Sequence, residues 1–231
     1  MSEFLSNNLP YLLSGISVGG QYALIAIGYT MVYGILRLIN FAHGDVFMVA
    51  GLIMVYATAS LPILVIVVTV ILGVIIEKVA YKPLRSAPRM SVMISAIGVS
   101  YLLQNCALYF TGGLPQIYPS IPFLSEQVQI GSASTKMVTI ITPILTVILV
   151  LILVTMIKKT KTGMAMRAVS RDFETSELMG IKINNVISMT FAIGCLLAAV
   201  GSLLYFTNYT SVIPTSGAMP GLKAFVAAVF G

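Results

Sequence analysis

Arg37, Asn40, His43 and Asp45 crowd into the stretch Tyr33–Gly51, YGILRLINFAHGDVFMVAG. His43 is the only histidine of the chain, and Asp45 is the only acid between Glu3 and Glu77. Groups of these types can relay a proton, hold a metal, contact a substrate or lock two helices through an ion pair. A metal needs three or four ligands. With no second histidine and no nearby cysteine, metal binding is set aside. A proton relay uses an acid–base pair at membrane depth, whereas this cluster adjoins Arg37 at the end of an apolar run. The plainer reading pairs Asp45 with Arg37 or His43 and closes a helix end. Polar lock and pathway contact both stay open.

A second polar stretch is Lys158–Lys182, KKTKTGMAMRAVSRDFETSELMGIK. Ser170 or Asp172 can cap a helix N-terminus, and Gly180 can stop it at C′. Phe173, Glu177 and Gly180 then share one side, at i, i+4 and i+7, while Glu174 and Leu178 pair at i, i+4. The pattern predicts a surface helix of about two turns with acids near its N-terminus. Such a helix either docks a partner or lies at the membrane surface and closes a bundle.

No nucleophile–base set and no G-x-x-x-x-G-K-[ST] phosphate loop is present. The chain is therefore expected not to be an enzyme and to carry no cofactor. If ATP is used, a partner must hydrolyse it.

The elements that position these residues follow from composition. The 231 residues are 58% hydrophobic and 9% charged, with mean hydropathy +1.00. A soluble domain is about a quarter charged, so lipid must be the solvent for most of this chain. Its apolar runs are continuous and do not alternate, which argues against a β-barrel and for an all-α bundle. The net charge of +6 lies largely in two short clusters between apolar runs, which reads as orientation and not as nucleic-acid binding. Cys106 and Cys195 fall inside apolar runs and are expected as buried packing residues. The N-terminus lacks a basic region of the kind that opens a cleavable signal.

Spans are expected at about 11–36, 41–59, 61–76 (borrowing 79–81), 90–110, 137–157 and 184–207, with a seventh opening at 220. The first is charge-free and long, hence tilted or broken near its glycines. Gly15, Gly19 and Gly20 offer it a small-residue face. Gln21, Asn40, Gln104 and Asn105 are expected as glue between helices. Lys223 either meets a substrate carboxylate or snorkels to the surface. The loop 78–89 holds four basic residues and 158–182 holds six, against Lys136 alone in 111–136. Both basic loops are then cytoplasmic, Arg37 lies on that side, and the N-terminus and the 208–219 loop lie outside. The last apolar run is only about twelve residues long at Gly231, too short to cross, and the chain is expected to be truncated, with its C-terminal portion missing. The whole is one transmembrane domain over 1–231, with 158–183 as a cytoplasmic loop within it.

Three blocks carry a resemblance. GGQYALIAIGYTMVYGILRLINFAHGDVFMVAG (19–51), GMAMRAVSRDFETSELMGIKINNVISMTFAIGCLLAAVGSLLY (163–205) and GLKAFVAAVFG (221–231) resemble, in order, segments of the permeases of branched-chain amino acid importers in the ATP-binding-cassette superfamily. The resemblance implies a multi-pass subunit of a bacterial cytoplasmic membrane. It implies partners: cytoplasmic ATP-binding subunits, a second permease and an extracytoplasmic substrate-binding protein. It implies alternating access for leucine, isoleucine or valine. It also assigns the 163–183 loop, with its short helix, to ATPase coupling, with Arg167, Glu174, Glu177 and Gly180 as its residues. Glu177 and Gly180 keep the acid and the glycine of the family's coupling pattern, while Ser176 and Leu178 replace small alanines. The alternatives are a urea or amide permease of the same family, and an ATP-independent channel or ion-coupled carrier.

Overall fold

The computed structural model describes residues 2–36, 40–57, 61–85, 87–130 and 133–230. Five helices are long and apolar enough to cross a membrane: Asn8–Leu36, Pro62–Leu84, Met90–Thr111, Met137–Lys159 and Ile183–Tyr209. The expected second and seventh spans are shorter apolar helices, Ala42–Ala57 and Ala218–Phe230. The chain is thus a polytopic helical membrane protein, with five helices long enough to cross and two shorter apolar ones among the described residues.

Helix α1 (Ser2–Leu36) is unbroken and carries Pro10 inside its N-terminal part. Helix α2 is Ala42–Ala57 and α3 is Pro62–Ile76. The borrowing expected at 79–81 takes a specific form. A π turn over Glu77–Tyr81 and a 3-10 turn over Lys82–Leu84 carry α3 onward, with the Lys82 N–H donating back to the Glu77 carbonyl. Helix α4 is Arg89–Thr111, and Gly112 in a left-handed conformation ends it. Strand β1 (Gln116–Ile117), the short α5 (Pro122–Ser125) and the hairpin of β2 (Gln127–Ile130) and β3 (Ala133–Lys136) lead to α6 (Met137–Lys159). Then come α7 (Lys161–Arg171), α8 (Phe173–Leu178), α9 (Ile183–Tyr209), β4 (Ser211–Val212) and α10 (Ala218–Phe230).

Helix α9 is the hub. Of its most apolar stretch 67% is buried, against 17–28% for the other four long helices. It packs against α1, α2 and α3. Its small residues Gly194, Ala198, Ala199, Gly201 and Ser202 permit that approach, because packing without a hydrophobic drive between helices relies on close contact. The small-residue face expected on α1 falls elsewhere. Only Gly20 of the three packs, against Thr146 of α6, while Gly15 and Gly19 have nothing near them. Gly28 makes the tight contact: an added Cβ would sit 3.0 Å from the Gly194 carbonyl.

Two further expectations change. Cys195 is buried, but Cys106 is exposed on α4. Asn105 donates to Tyr101 of its own helix, at 2.8 Å, and not to a neighbour. Gln21 does join helices, donating to the Leu204 carbonyl at 3.3 Å.

The connections sort as the charge pattern requires. Strand β1 pairs antiparallel with β4, and the Lys136 ammonium donates to the Thr207 and Asn208 carbonyls. The 112–136 and 210–217 segments therefore share one end of the bundle. At the other end, Arg85 of one basic loop donates to Asn184 at the start of α9.

Candidate functional site

Helix α2 does not begin at the end of the bundle. His43 lies against Gly28, where an added Cβ would meet its Nε2 at 2.7 Å, and against Gly194. Gly28 is eight residues before the end of α1, about 12 Å along it at ~1.5 Å per residue. Gly194 sits at the middle of α9 (Ile183–Tyr209), and Ser100, which bonds Asp45, at the middle of α4 (Arg89–Thr111). The His43–Asp45 cluster therefore lies near mid-depth of the bundle. This corrects the cytoplasmic shoulder expected for it. Span counting assumed a helix of full length, whereas α2 is short and starts inside.

The polar residues are sorted by helix geometry. Two positions apart, His43 and Asp45 point to roughly opposite sides. His43 is buried edge-on against Tyr29, with ring centroids 4.8 Å apart, and its Nε2 has no hydrogen-bond partner among the described residues. Asp45 instead accepts from the Ser100 hydroxyl and, at 3.0 Å, from the Gln104 amide. The expected pairing of Asp45 with His43 is thus replaced by two neutral donors of α4. Arg37, the other expected partner, lies outside the described residues. Asn40 is buried and accepts from the Tyr81 hydroxyl at 2.6 Å, so it ties the approach to α2 to the π turn after α3.

Asp45, Ser100 and Gln104 line a cavity of ≈ 250 Å³ with Tyr29, Phe41 and Phe225. Its floor is glycine against glycine. A Cβ on Gly44 would sit 2.6 Å from the Gly217 carbonyl oxygen and 2.9 Å from the Gly221 Cα. The N-termini of α2 and α10 therefore meet here, two short helices with their positive ends together. Lys223, on α10, extends away over the Tyr22 ring at 5.3 Å.

The second polar stretch folds as two helices. Its first half, expected only as a lead-in, is α7, capped by the Thr160 hydroxyl accepting from the Gly163 N–H at 3.1 Å. Gly163, Met166 and Val169 face inward. A Cβ at Gly163 would strike the backbone of Met156 and Ile157, which explains the glycine at this sharp turn. The expected short helix is α8. Asp172 caps it, accepting from the Glu174 and Thr175 N–H groups at 3.0 and 3.3 Å and from the Thr175 hydroxyl. These bonds, the Thr175 hydroxyl first, hold its carboxyl below the usual range. Gly180, at φ +80, ends it in a Schellman motif: Gly180 N–H to Glu177 at 2.9 Å and Ile181 N–H to Ser176 at 3.1 Å.

Phe173, Glu177 and Gly180 line one cavity of ≈ 820 Å³, together with Arg85 and Asn184. Leu178 and Met179 are exposed to solvent, at 87% and 78%. Glu174 is also exposed. Arg167 stands apart on α7, reaching the Lys158 carbonyl at 3.5 Å.

Behind that cavity is a constellation the sequence reading passed over. Glu77 is fully buried and forms an ion pair with Arg85, while the Ser188 hydroxyl donates to its second oxygen at 2.6 Å. Arg85 also reaches Asn184. The available signal was an acid inside an apolar run, eight residues before an arginine.

Comparison with known proteins agrees with this architecture. The family described as "Branched-chain amino acid transport system / permease component" matches residues 11–231. The high-affinity branched-chain amino acid transport system permease protein BraD of Pseudomonas aeruginosa is 37% identical over 241 residues, covering 96% of this chain and 78% of its own. LivH of Escherichia coli, of the same description, is 37% identical over 251 residues, covering 100% and 81%. A probable branched-chain amino acid transport permease protein LivH of Methanocaldococcus jannaschii is 25% identical over 221 residues, covering 90% and 69%. No solved structure matches. With the family matched over nearly the whole chain and a bundle of apolar helices to carry it, the chain belongs to the branched-chain amino acid transport permease family.

Proposed function

We propose that this chain is a membrane-spanning subunit of an ATP-driven importer of leucine, isoleucine and valine in a bacterial cytoplasmic membrane. A second permease completes the pathway, and an extracytoplasmic binding protein delivers substrate to the end carrying β1–β4 and the β2–β3 hairpin. Two cytoplasmic ATPases dock on α7 and α8. Closure of the ATPase pair pushes α8, and α9 carries the displacement to the mid-depth cavity. No covalent chemistry occurs on this chain.

The observation that carries the reading is the exposed, doubly capped α8. Asp172 and Gly180 fix both ends of a short helix that leaves Leu178 and Met179 in solvent beside the ≈ 820 Å³ cavity. A helix this short has little stability alone, so its caps serve to present it. Its Glu177–Gly180 side faces the cavity behind which the start of α9 lies.

The test is ATP-dependent uptake of labelled leucine by the complex reconstituted with its ATPases and binding protein. Uptake that requires ATP and is competed by isoleucine and valine is expected. Flux through the purified chain alone, without ATPase, would overturn the reading. Competition by urea and not by leucine would reassign the substrate.

A further inference from the structure

The Asp45 cavity has the shape of a recognition site for one end of the cargo. Asp45 is buried, and both its carboxylate oxygens accept hydrogen bonds from α4. It stands in the first turn of α2. Both bonded donors, Ser100 and Gln104, are neutral. The ion pair formed among the described residues, Glu77–Arg85, lies elsewhere. A carboxylate at membrane depth is costly unless a cation meets it, and here the carboxylate lines a void.

The other walls are suited to the rest of a small amphiphile. Phe41, Leu222 and Phe225 line the same cavity with apolar surface, and Ser100 and Gln104 are half-buried. At ≈ 250 Å³ the space is below the ~300–1,000 Å³ of drug-sized pockets. It holds one small molecule with an apolar tail. Leu222 is exposed, so the cavity opens at a face that the chain's own helices leave uncovered. His43 takes no part, since it points between α1 and α9.

We infer that Asp45, oriented by Ser100 and Gln104, binds the ammonium group of the α-amino acid as it passes mid-depth, with the aliphatic side chain against Phe41 and Phe225. This rests on the amino-acid reading above. It adds a contact within the pathway, made after the binding protein has released its cargo.

The experiment uses the complete transporter in proteoliposomes, with Cys106 and Cys195 replaced by serine and Leu222→Cys as a reporter in the cavity wall. Uptake of labelled leucine by the unmodified complex is measured first, and its absence would overturn the amino-acid reading itself. The reporter is then titrated with a cationic and an anionic thiosulfonate of similar size. The cationic reagent should react about tenfold faster, because the cavity concentrates one sign of charge. Leucine delivered on its binding protein should slow that reaction, and Asp45→Asn should remove both the preference and the protection. Asp45→Asn is accepted only if the ATPases co-purify with it. If they do not, charge preference and leucine protection in the Asp45 chain decide the matter. Equal reaction of the two reagents, or leucine protection that survives Asp45→Asn, overturns the inference and leaves the amino-acid reading standing.

Discussion

Arg85 turns back from the loop after α3 to pair with Glu77, the buried acid at the start of the π turn, and its second amino group reaches Asn184 at the head of α9. One guanidinium thus joins the end of α3 to the start of α9 behind the cavity that α8 lines. The planar, forked donor set of arginine holds its two acceptors in a fixed geometry that the point charge of lysine does not impose.

Removing one partner should therefore be worse than removing both. Arg85→Met leaves Glu77 buried without a cation, a loss of about 3–5 kcal/mol. The double change Glu77→Met with Arg85→Met should recover most of it. Thermal unfolding in detergent, followed by size-exclusion recovery, reads the difference. A double variant less stable than Arg85→Met would refute the linkage.

Gly28 and Gly15 make a matched pair on the same helix. Gly28 touches His43 and Gly194, whereas Gly15 has nothing within 4 Å. Gly28→Val should lower the unfolding temperature and yield, because a side chain must separate α1 from α9. Gly15→Ala should be neutral or stabilising by roughly 0.5–1 kcal/mol through helix propensity. Equal losses at the two positions would be inconsistent with the packing described.

The order of α8 should depend on pH through Asp172. Its folded pKa lies below the ordinary aspartate value of 3.8. The cap's contribution is therefore complete above that value and lost as pH falls through the lower folded one. Amide exchange of residues 173–181 should stay slow at neutral and mildly acidic pH. Asp172→Asn should retain part of that protection, since asparagine also caps, and Asp172→Ala should lose it at every pH. Protection unchanged in Asp172→Ala would remove the cap from the account.

Coupling should be separable from folding at Gly180 and Glu177. Gly180→Val forces a β-branched residue into a left-handed conformation, and Glu177→Lys reverses charge on the cavity side of α8. Both should abolish ATP-driven uptake while membrane insertion stays normal. Leu178→Lys should weaken co-purification of the ATPases. Normal uptake in all three would leave α8 without a docking role.

Much of this was legible in the chain. The α8 caps needed only local chemistry: an aspartate ahead of a helical pattern and a glycine where φ must be positive. The common side of Phe173, Glu177 and Gly180 followed from 3.6-residue periodicity. The shared side of the two basic loops followed from charge counting. The hairpin at 127–136 and the eleven-residue α7 did not stand out, the first for want of a strong strand signal, the second because its inward face is only Gly163, Met166 and Val169.

What the sequence determined alone was the solvent and the elements: continuous apolar runs need lipid, and runs near 20 residues cross it. Where those elements meet was decided by tertiary structure. Asp45 and Ser100 are 55 residues apart and Glu77 and Ser188 are 111 apart, and no local rule pairs them. The depth of Asp45 depends on α2 being short and starting inside. That in turn depends on Gly28, Gly44, Gly194 and Gly217 letting backbones approach. Long-range packing of bare glycines converts a polar stretch between two spans into a cavity at the middle of the bundle.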